Sequence, residues 1–325
     1  MSENSPNKLK GVFLDASSLD IEDINFISLK NVLANWQFYD ETLPFQVSER
    51  IVDADIIISN KVVLDENIIS KASCLKLICV AATGVNNVDI AAAKKRNIAV
   101  CNVTAYAVSS VSQHVLLLIL ALFRRLNDYQ NLIRLGAWQK SSQFCLLQYP
   151  IEDLTGKTIG IVGYGELGKA VANIAKAFGM KILIAARAGT VVKDGCLPLH
   201  ELLSKVDVLS LHCPLNEQTR GLIGEAELAC MKSSAFLINT ARGGIVDEQA
   251  LVNALLQNDI AGAGVDVLID EPPVAGNPLL DLDLPNLIIS PHIAWGSRAA
   301  RQRLVDEIAE NIEAWKKSVA RNIIC

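Results

Sequence analysis

Three glycines, Gly163, Gly165 and Gly168, stand between an apolar run, TIGIV at 158–162, and a stretch of helical periodicity that ends at Gly179, where a second apolar run, KILIAA, follows at once. No other feature of the chain constrains its fold as tightly. The turn must be sharp, the backbone must come close to a bound group, and the helix must pack directly on its strand, and each demand suits a residue without a side chain. The first N–H groups of the helix then lack partners and face the turn. In a strand-turn-helix-strand setting this makes a cradle for the pyrophosphate of a dinucleotide. Within the helix, Leu167, Val171, Ile174, Ala175 and Phe178 recur on one face and are expected to pack on the sheet.

Four further apolar runs, VDVLSLH, AFLINT, AGVDVL and NLIIS, continue this series toward the C-terminus. A similar series precedes it: GVFLDA, a helix over 21–35, WQFYD, ADIIIS, LKLICVAAT, a helix over 89–96 and IAVCNV. Short apolar runs alternating with helices predict an α/β chain of two doubly wound parallel-sheet domains, with about five strands in the first and six in the second. A length of 325 residues, more than one core usually serves, agrees. The expected division gives 1–104 plus 297–325 to a smaller domain and 105–296 to a Rossmann dinucleotide domain, with a cleft between them. A long helix from about 107 through the apolar run 115–123 is too apolar for a surface helix and is expected between the domains. The last helix, 297–319, is expected to cross back with it.

Thirty basic against thirty-five acidic residues leave a net charge of -5, which gives no general attraction to nucleic acid or to an anionic membrane. A small-molecule partner is expected instead. The eight cysteines lie scattered in apolar segments without CxxC pairs, so no metal site is expected and the thiols are read as reduced and buried. Residues 1–10 are polar and the run 115–123 is too short to span a bilayer, which predicts a cytoplasmic chain without an anchor.

Ligands of open α/β sheets gather at the carboxyl ends of the strands. Three reactive side chains fall there on consecutive strands: Arg242 in NTARGG, Glu271 in DEPP and His292 in SPHIAWGS. Singly each has a bland reading, but together they suit carbonyl reduction. Hydride arriving at a carbonyl leaves alkoxide charge that needs a proton, and an imidazolium can supply it. His292 is the candidate acid, Glu271 orients its ring, and Arg242 holds a substrate carboxylate and polarises the carbonyl. Around them the candidate cofactor contacts are Gly163, Gly165, Glu166, Leu167 and Gly168 in the turn, with Cys213, Pro214 and Thr219 after the third strand. Thr240 and Ala241 follow the fourth, and Asp266 lies on the fifth, where it either meets the nicotinamide amide or caps a local turn. The acid that commonly holds the adenosine ribose about twenty residues past the turn is missing. Residues 184–187 read Ile-Ala-Ala-Arg and no carboxylate precedes Asp194, so Arg187 is placed to pair with a 2'-phosphate. NADP is expected ahead of NAD. His212 is read as a packing or backbone contact, and His114 and His200 as structural.

The stretches GYGELG, NTARGGIVDEQAL, DVLIDEPP and PHIAW resemble the D-isomer-specific 2-hydroxyacid dehydrogenase family, and most closely its glycerate dehydrogenase, or hydroxypyruvate reductase, branch. The resemblance covers nearly the whole chain. It implies that Arg242, Glu271 and His292 are catalytic, that ATGVNNVD offers backbone amides near Thr83, Gly84 and Val85 to a substrate carboxylate, and that the smaller domain is flavodoxin-like and takes the C-terminal helix. It also implies a homodimer joined through the cofactor domains. Trp295 resembles an aromatic of the glycerate branch that favours a small polar keto acid, and Trp138 a tryptophan of the dimerisation arm, although either also suits packing. Two positions depart from the family: Val111-Ser112-Gln113-His114 stands for a VAEH-type stretch, and Ala186 replaces the acid ending the second strand.

The expected activity is hydride transfer between NAD(P)H and a small 2-keto or D-2-hydroxy acid, with hydroxypyruvate or glyoxylate foremost. One rival is a dinucleotide-sensing corepressor-like scaffold, since corepressors resembling these dehydrogenases keep the same three residues. The chain stops at Cys325 without the long extension such proteins carry, which favours the enzyme. A phosphite dehydrogenase on the same fold is a second rival; formate enzymes carry glutamine where Glu271 stands.

Overall fold

The computed structural model describes residues 9–187 and 193–325. The polar segment behind the expectation of an unanchored N-terminus therefore lies largely outside the described residues. The chain divides into two units, Met1–Ala107 with Gly296–Cys325, and Val108–Trp295.

In the first unit five parallel strands form one sheet: β1 (Lys10–Phe13), β2 (Asn35–Phe38), β3 (Ile56–Ser59), β4 (Leu77–Val80) and β5 (Ala99–Cys101), in the order β2-β1-β3-β4-β5. Strands β3 and β4 are buried along their whole length, which is why IIIS and LICV are apolar but for Ser59. Strand β2, at the edge, alternates exposed and half-buried residues. This 2-1-3-4-5 order is the flavodoxin-like winding. The helix expected over 21–35 is shorter, Ile27–Val32. The residues before it turn instead around Asp20, whose Oδ1 accepts the N–H groups of Asp23 and Ile24, and Asn35 already belongs to β2. Helices Val47–Ile51 and Glu66–Lys71 were not anticipated; they are too short for a clear periodicity. The C-terminal helix Arg298–Lys316, capped by Ser297, packs on Ile27–Val32 and buries Leu304, Val305, Ile308 and Ile312.

Among its described residues the second unit holds six parallel strands, β6 (Thr158–Val162), β7 (Lys181–Ile184), β8 (Val208–Leu211), β9 (Phe236–Asn239), β10 (Gly262–Val265) and β11 (Leu287–Ile289), in the order β11-β10-β9-β8-β6-β7. A parallel bridge between Ala185 and Leu197 adds a rudimentary strand beyond β7. With it the order becomes that of the doubly wound dinucleotide fold, whose crevice opens where β6 meets β8. Helix Val108–Phe123 packs on β9, β10 and helix Glu166–Ala177, so its apolar run belongs to the core of this unit.

Two expectations about burial need correction. On helix Glu166–Ala177 the packed face is Gly168, Val171, Ala172 and Ala175, while Phe178 is exposed, because small residues let the helix lie close to the sheet. Of the cysteines only Cys79 and Cys101 are buried, paired across β4 and β5 with Sγ atoms 3.4 Å apart; Cys74 and Cys230 are exposed. All eight are free. Among the described residues no single helix is long and apolar enough to cross a membrane, and no group of metal ligands is found.

Candidate active site

The glycine turn follows β6 directly. Gly163 has φ +94°, in the left-handed region, and a Cβ there would lie 2.6 Å from the backbone N of Cys213. A Cβ on Gly168 would collide with the carbonyl oxygen of Gly163, whereas the space beside Gly165 is open. Gly165 caps the helix and provides no side-chain hydrogen bond, so the first-turn N–H groups, including those of Glu166 and Leu167, keep their donors for a ligand. Glu166 itself is exposed and Leu167 half-buried.

Two buried polar atoms at neighbouring strand ends lack partners among the described residues: Thr240 Oγ1 after β9 and His212 Nδ1 after β8. The imidazole of His212 bonds through Nε2 to Ser210 Oγ at 2.9 Å, and burial pushes it down to about 4, so the ring is neutral. Cys213, half-buried and with its thiol pushed up by burial, and Pro214, exposed, come next. Thr219 Oγ1 donates to Pro214 O at 2.6 Å, so its hydroxyl proton is used inside the turn and the side chain shapes this loop. Ala241 is buried and its N–H donates to Asn239 Oδ1. Arg187 is exposed at the end of the β7 segment. A cradle that excludes side chains, open helix N–H groups and orphaned donors and acceptors fit the diphosphate and the polar rim of a dinucleotide.

Glu271 and His292 meet directly, with His292 Nδ1 2.6 Å from Glu271 Oε2. The other carboxylate oxygen accepts the N–H of Leu268 at 2.8 Å, which fixes the plane of the acid. Both side chains keep partial exposure, 26% for His292 and 34% for Glu271, so the pair faces outward and its free Nε2 can reach a ligand. The Arg242 turn joins them through backbone packing: a Cβ on Gly243 would strike the carbonyl of Leu268, so only glycine allows this approach. Arg242 is half-buried and donates from Nη1 to Ala241 O at 2.6 Å. The structure thus brings the three predicted residues to adjacent strand ends and bonds two of them to each other.

His292 has φ +53°, a left-handed backbone that costs a non-glycine residue about 1–3 kcal/mol unless its surroundings hold it. Asp266, 1% exposed, provides the hold. Its carbonyl accepts the N–H of His292 at 2.8 Å, and its carboxylate accepts those of Ile293 and Ala294 at 3.0 and 2.9 Å. Of its two sequence readings the structure shows the turn cap. Sequence reasoning missed Glu248, a buried acid whose oxygens hold Ile269 N and Asn277 Nδ2 and so brace the segment carrying Glu271. Its signal was an acid in the first turn of helix Glu248–Gln257, beside the N-cap Asp247.

In the first unit, Thr83 is exposed and Gly84 and Val85 half-buried in the loop after β4. Asn102 Nδ2 donates to Thr83 O at 2.7 Å and Thr83 Oγ1 donates to Val103 O at 2.8 Å. Trp295 is partly exposed, His200 is exposed, and Trp138 is 48% exposed with Nε1 donating to Phe144 O, which excludes it from a core.

Comparison with known proteins agrees with this geometry. The sequence profile described as "D-isomer specific 2-hydroxyacid dehydrogenase, NAD binding domain" matches residues 116–294. Glycerate dehydrogenase of Methylorubrum extorquens is 45% identical over 318 residues, 97% of this chain and 98% of that protein. Hydroxypyruvate reductase of Blautia hydrogenotrophica is 36% identical over 97% of this chain and 99% of its own. Among solved structures, an acyclic imino acid reductase in complex with NADPH and D-Arg superposes with a TM-score of 0.85 at 30% identity, covering 98% of this chain and 100% of that one.

Proposed function

Because the chain belongs to the D-isomer specific 2-hydroxyacid dehydrogenase family, we propose that it reduces hydroxypyruvate or glyoxylate to the corresponding 2-hydroxy acid with a nicotinamide dinucleotide, reversibly. The observation that carries this reading is the 2.6 Å contact between His292 Nδ1 and Glu271 Oε2 at the carboxyl edge of the dinucleotide-type sheet. When bound, NAD(P)H supplies the hydride to the carbonyl carbon.

The chain's own groups do the rest. Glu271 accepts the Nδ1 proton and so turns Nε2 outward, where His292 delivers a proton to the carbonyl oxygen as negative charge develops on it. Arg242 draws the substrate's carboxylate and carbonyl oxygen into place with paired N–H donors. The backbone N–H groups of Thr83, Gly84 and Val85 suit a substrate carboxylate, and Trp295 limits the substrate to a short, polar keto acid. In the oxidative direction His292 receives the proton instead.

Gly163, Gly165 and Gly168, with the N–H groups of Glu166 and Leu167, would hold the diphosphate. Thr240, Ala241, Cys213 and Pro214 would line the remainder. The absence of an acid at Ala186 and the presence of Arg187 favour NADP over NAD. The protein acts as a homodimer joined through its second unit, where Leu135, Phe144 and Leu147 expose 74%, 88% and 77% of their surface around Trp138.

The test is a steady-state comparison of NADPH and NADH oxidation with hydroxypyruvate, glyoxylate and pyruvate. The reading requires the first two acids to be preferred to pyruvate. Inactivity toward all three would remove it, and sedimentation of the protein as a monomer at micromolar concentration would remove the dimer.

A further inference from the structure

We propose that His114 is a positioning residue of this reaction: together with Ser110 it clamps, from helix Val108–Phe123, the loop that carries His292. The proposal rests on the role given to His292 above. Ser110 and His114 are four residues apart and so share one face of the helix. Each grips one end of the same loop. Ser110 Oγ donates to Ala294 O at 2.6 Å, and His114 Nε2 lies 2.9 Å from Ser290 Oγ.

The direction of the second bond follows from proton counting. Ser290 Oγ donates its one proton to Asp266 Oδ1 at 2.6 Å. Its oxygen can then only accept from His114, which must carry its proton on Nε2. His114 Nε2 is 3.6 Å from the same Asp266 oxygen, so the imidazole supports the acid as well as the serine. Asp266 in turn binds the N–H groups of His292, Ile293 and Ala294. The line therefore runs from His114 through Ser290 and Asp266 to the backbone of His292, whose left-handed φ depends on such support. The His114 side chain is 13% exposed and its Nε2 is engaged with Ser290 and Asp266, so it acts through the loop and not on substrate.

Without the His114 donor, Ser290 and Asp266 lose an anchor and the His292 ring gains freedom. A displacement of about 1 Å at a reacting group can lower turnover by about a hundredfold. The variants His114→Leu and His114→Gln separate this from simple packing, because the glutamine amide can still donate to Ser290. For His114→Leu, kcat falls about tenfold or more, while the dissociation constant for NADPH, read by fluorescence titration, and KM for the keto acid stay within about threefold. His114→Gln recovers most of kcat.

Wild-type kcat in a folded His114→Leu variant, or equal losses in the leucine and glutamine variants, would overturn the proposal. Should His114→Leu fail to fold, Ser110→Ala, which removes the other arm, must still lower kcat at unchanged NADPH affinity; unchanged kcat there would overturn it too. Wild type and His292→Ala run alongside. If the wild type reduces no keto acid, the functional reading fails and the clamp with it, whereas an active wild type with an indifferent His114 rejects the clamp alone.

Discussion

Asp15 and Asp266 occupy matching places in two different sheets. Asp15 follows β1 and Asp266 follows β10, and each is buried, at 7% and 1% exposure. The carboxylate of each accepts backbone N–H groups from the loop after the neighbouring strand: Asn60, Lys61 and Val62 after β3 for Asp15, Ile293 and Ala294 after β11 for Asp266. The loops differ in what they carry. One presents Asn60 and Lys61; the other presents an imidazole bonded to Glu271. A parallel sheet with acid-capped loops is thus a scaffold that does not choose a chemistry, and the residue held out by the capped loop makes the site.

The contrast breaks most sharply at His292. His292→Ala should lower kcat about a hundredfold or more while dinucleotide affinity stays nearly intact, in steady-state assays paired with fluorescence titration. Unchanged turnover would strip the second sheet of its special status. Next come the glycines. Gly168→Ala places a Cβ against the carbonyl of Gly163 and should weaken NADPH binding at least about tenfold, the scale of one charge-assisted hydrogen bond. Gly11→Ala, which meets the Trp36 ring in the first unit, should lower the melting temperature without changing that affinity.

Arg187→Ala should cost about tenfold in NADPH affinity and nothing in NADH affinity. Equal loss for both cofactors would dismiss its pairing with a 2'-phosphate. The smallest effect is on stability, and the two units differ in its sign. Burial lowers His212 from 6.5 to about 4, so between those values the unfolded chain holds a proton that the folded one does not, and stability falls as pH falls through the window. Burial raises Asp15 above its ordinary 3.8, so there the folded form holds the proton and stability falls as pH rises from 3.8 through the raised value. Because the His212 residue as a whole is half-buried although its Nδ1 is enclosed, about 1–2 kcal/mol is the expected size. Urea unfolding of His212→Gln should lack that acid-side loss, and an unaltered slope would show the ring to be solvated.

The eleven strands among the described residues and the glycine turn were legible in the sequence because each depends on neighbours close along the chain: β3 and β8 are buried throughout and apolar but for one serine each, and Gly163 to Gly168 sit between a strand and a helix. The strand-end positions of Arg242, Glu271 and His292 were equally plain. Burial was read less well, since Phe178 and most cysteines lie outside despite apolar surroundings in sequence. His114 was read as merely structural because nothing near it in sequence marks Ser290 as its partner, although Ser110 four residues earlier marks the same helix face.

The sequence by itself determined two parallel α/β sheets, a phosphate cradle after β6 and three reactive residues at consecutive strand ends, because periodicity and turn chemistry act over a few residues. The tertiary structure alone decided that Asp266 holds a loop, that Glu248 braces another, and that His114 bonds a serine 176 residues away. Such pairings arise when strands distant in the chain are set side by side, and a hydrogen bond formed there leaves no local pattern in the sequence.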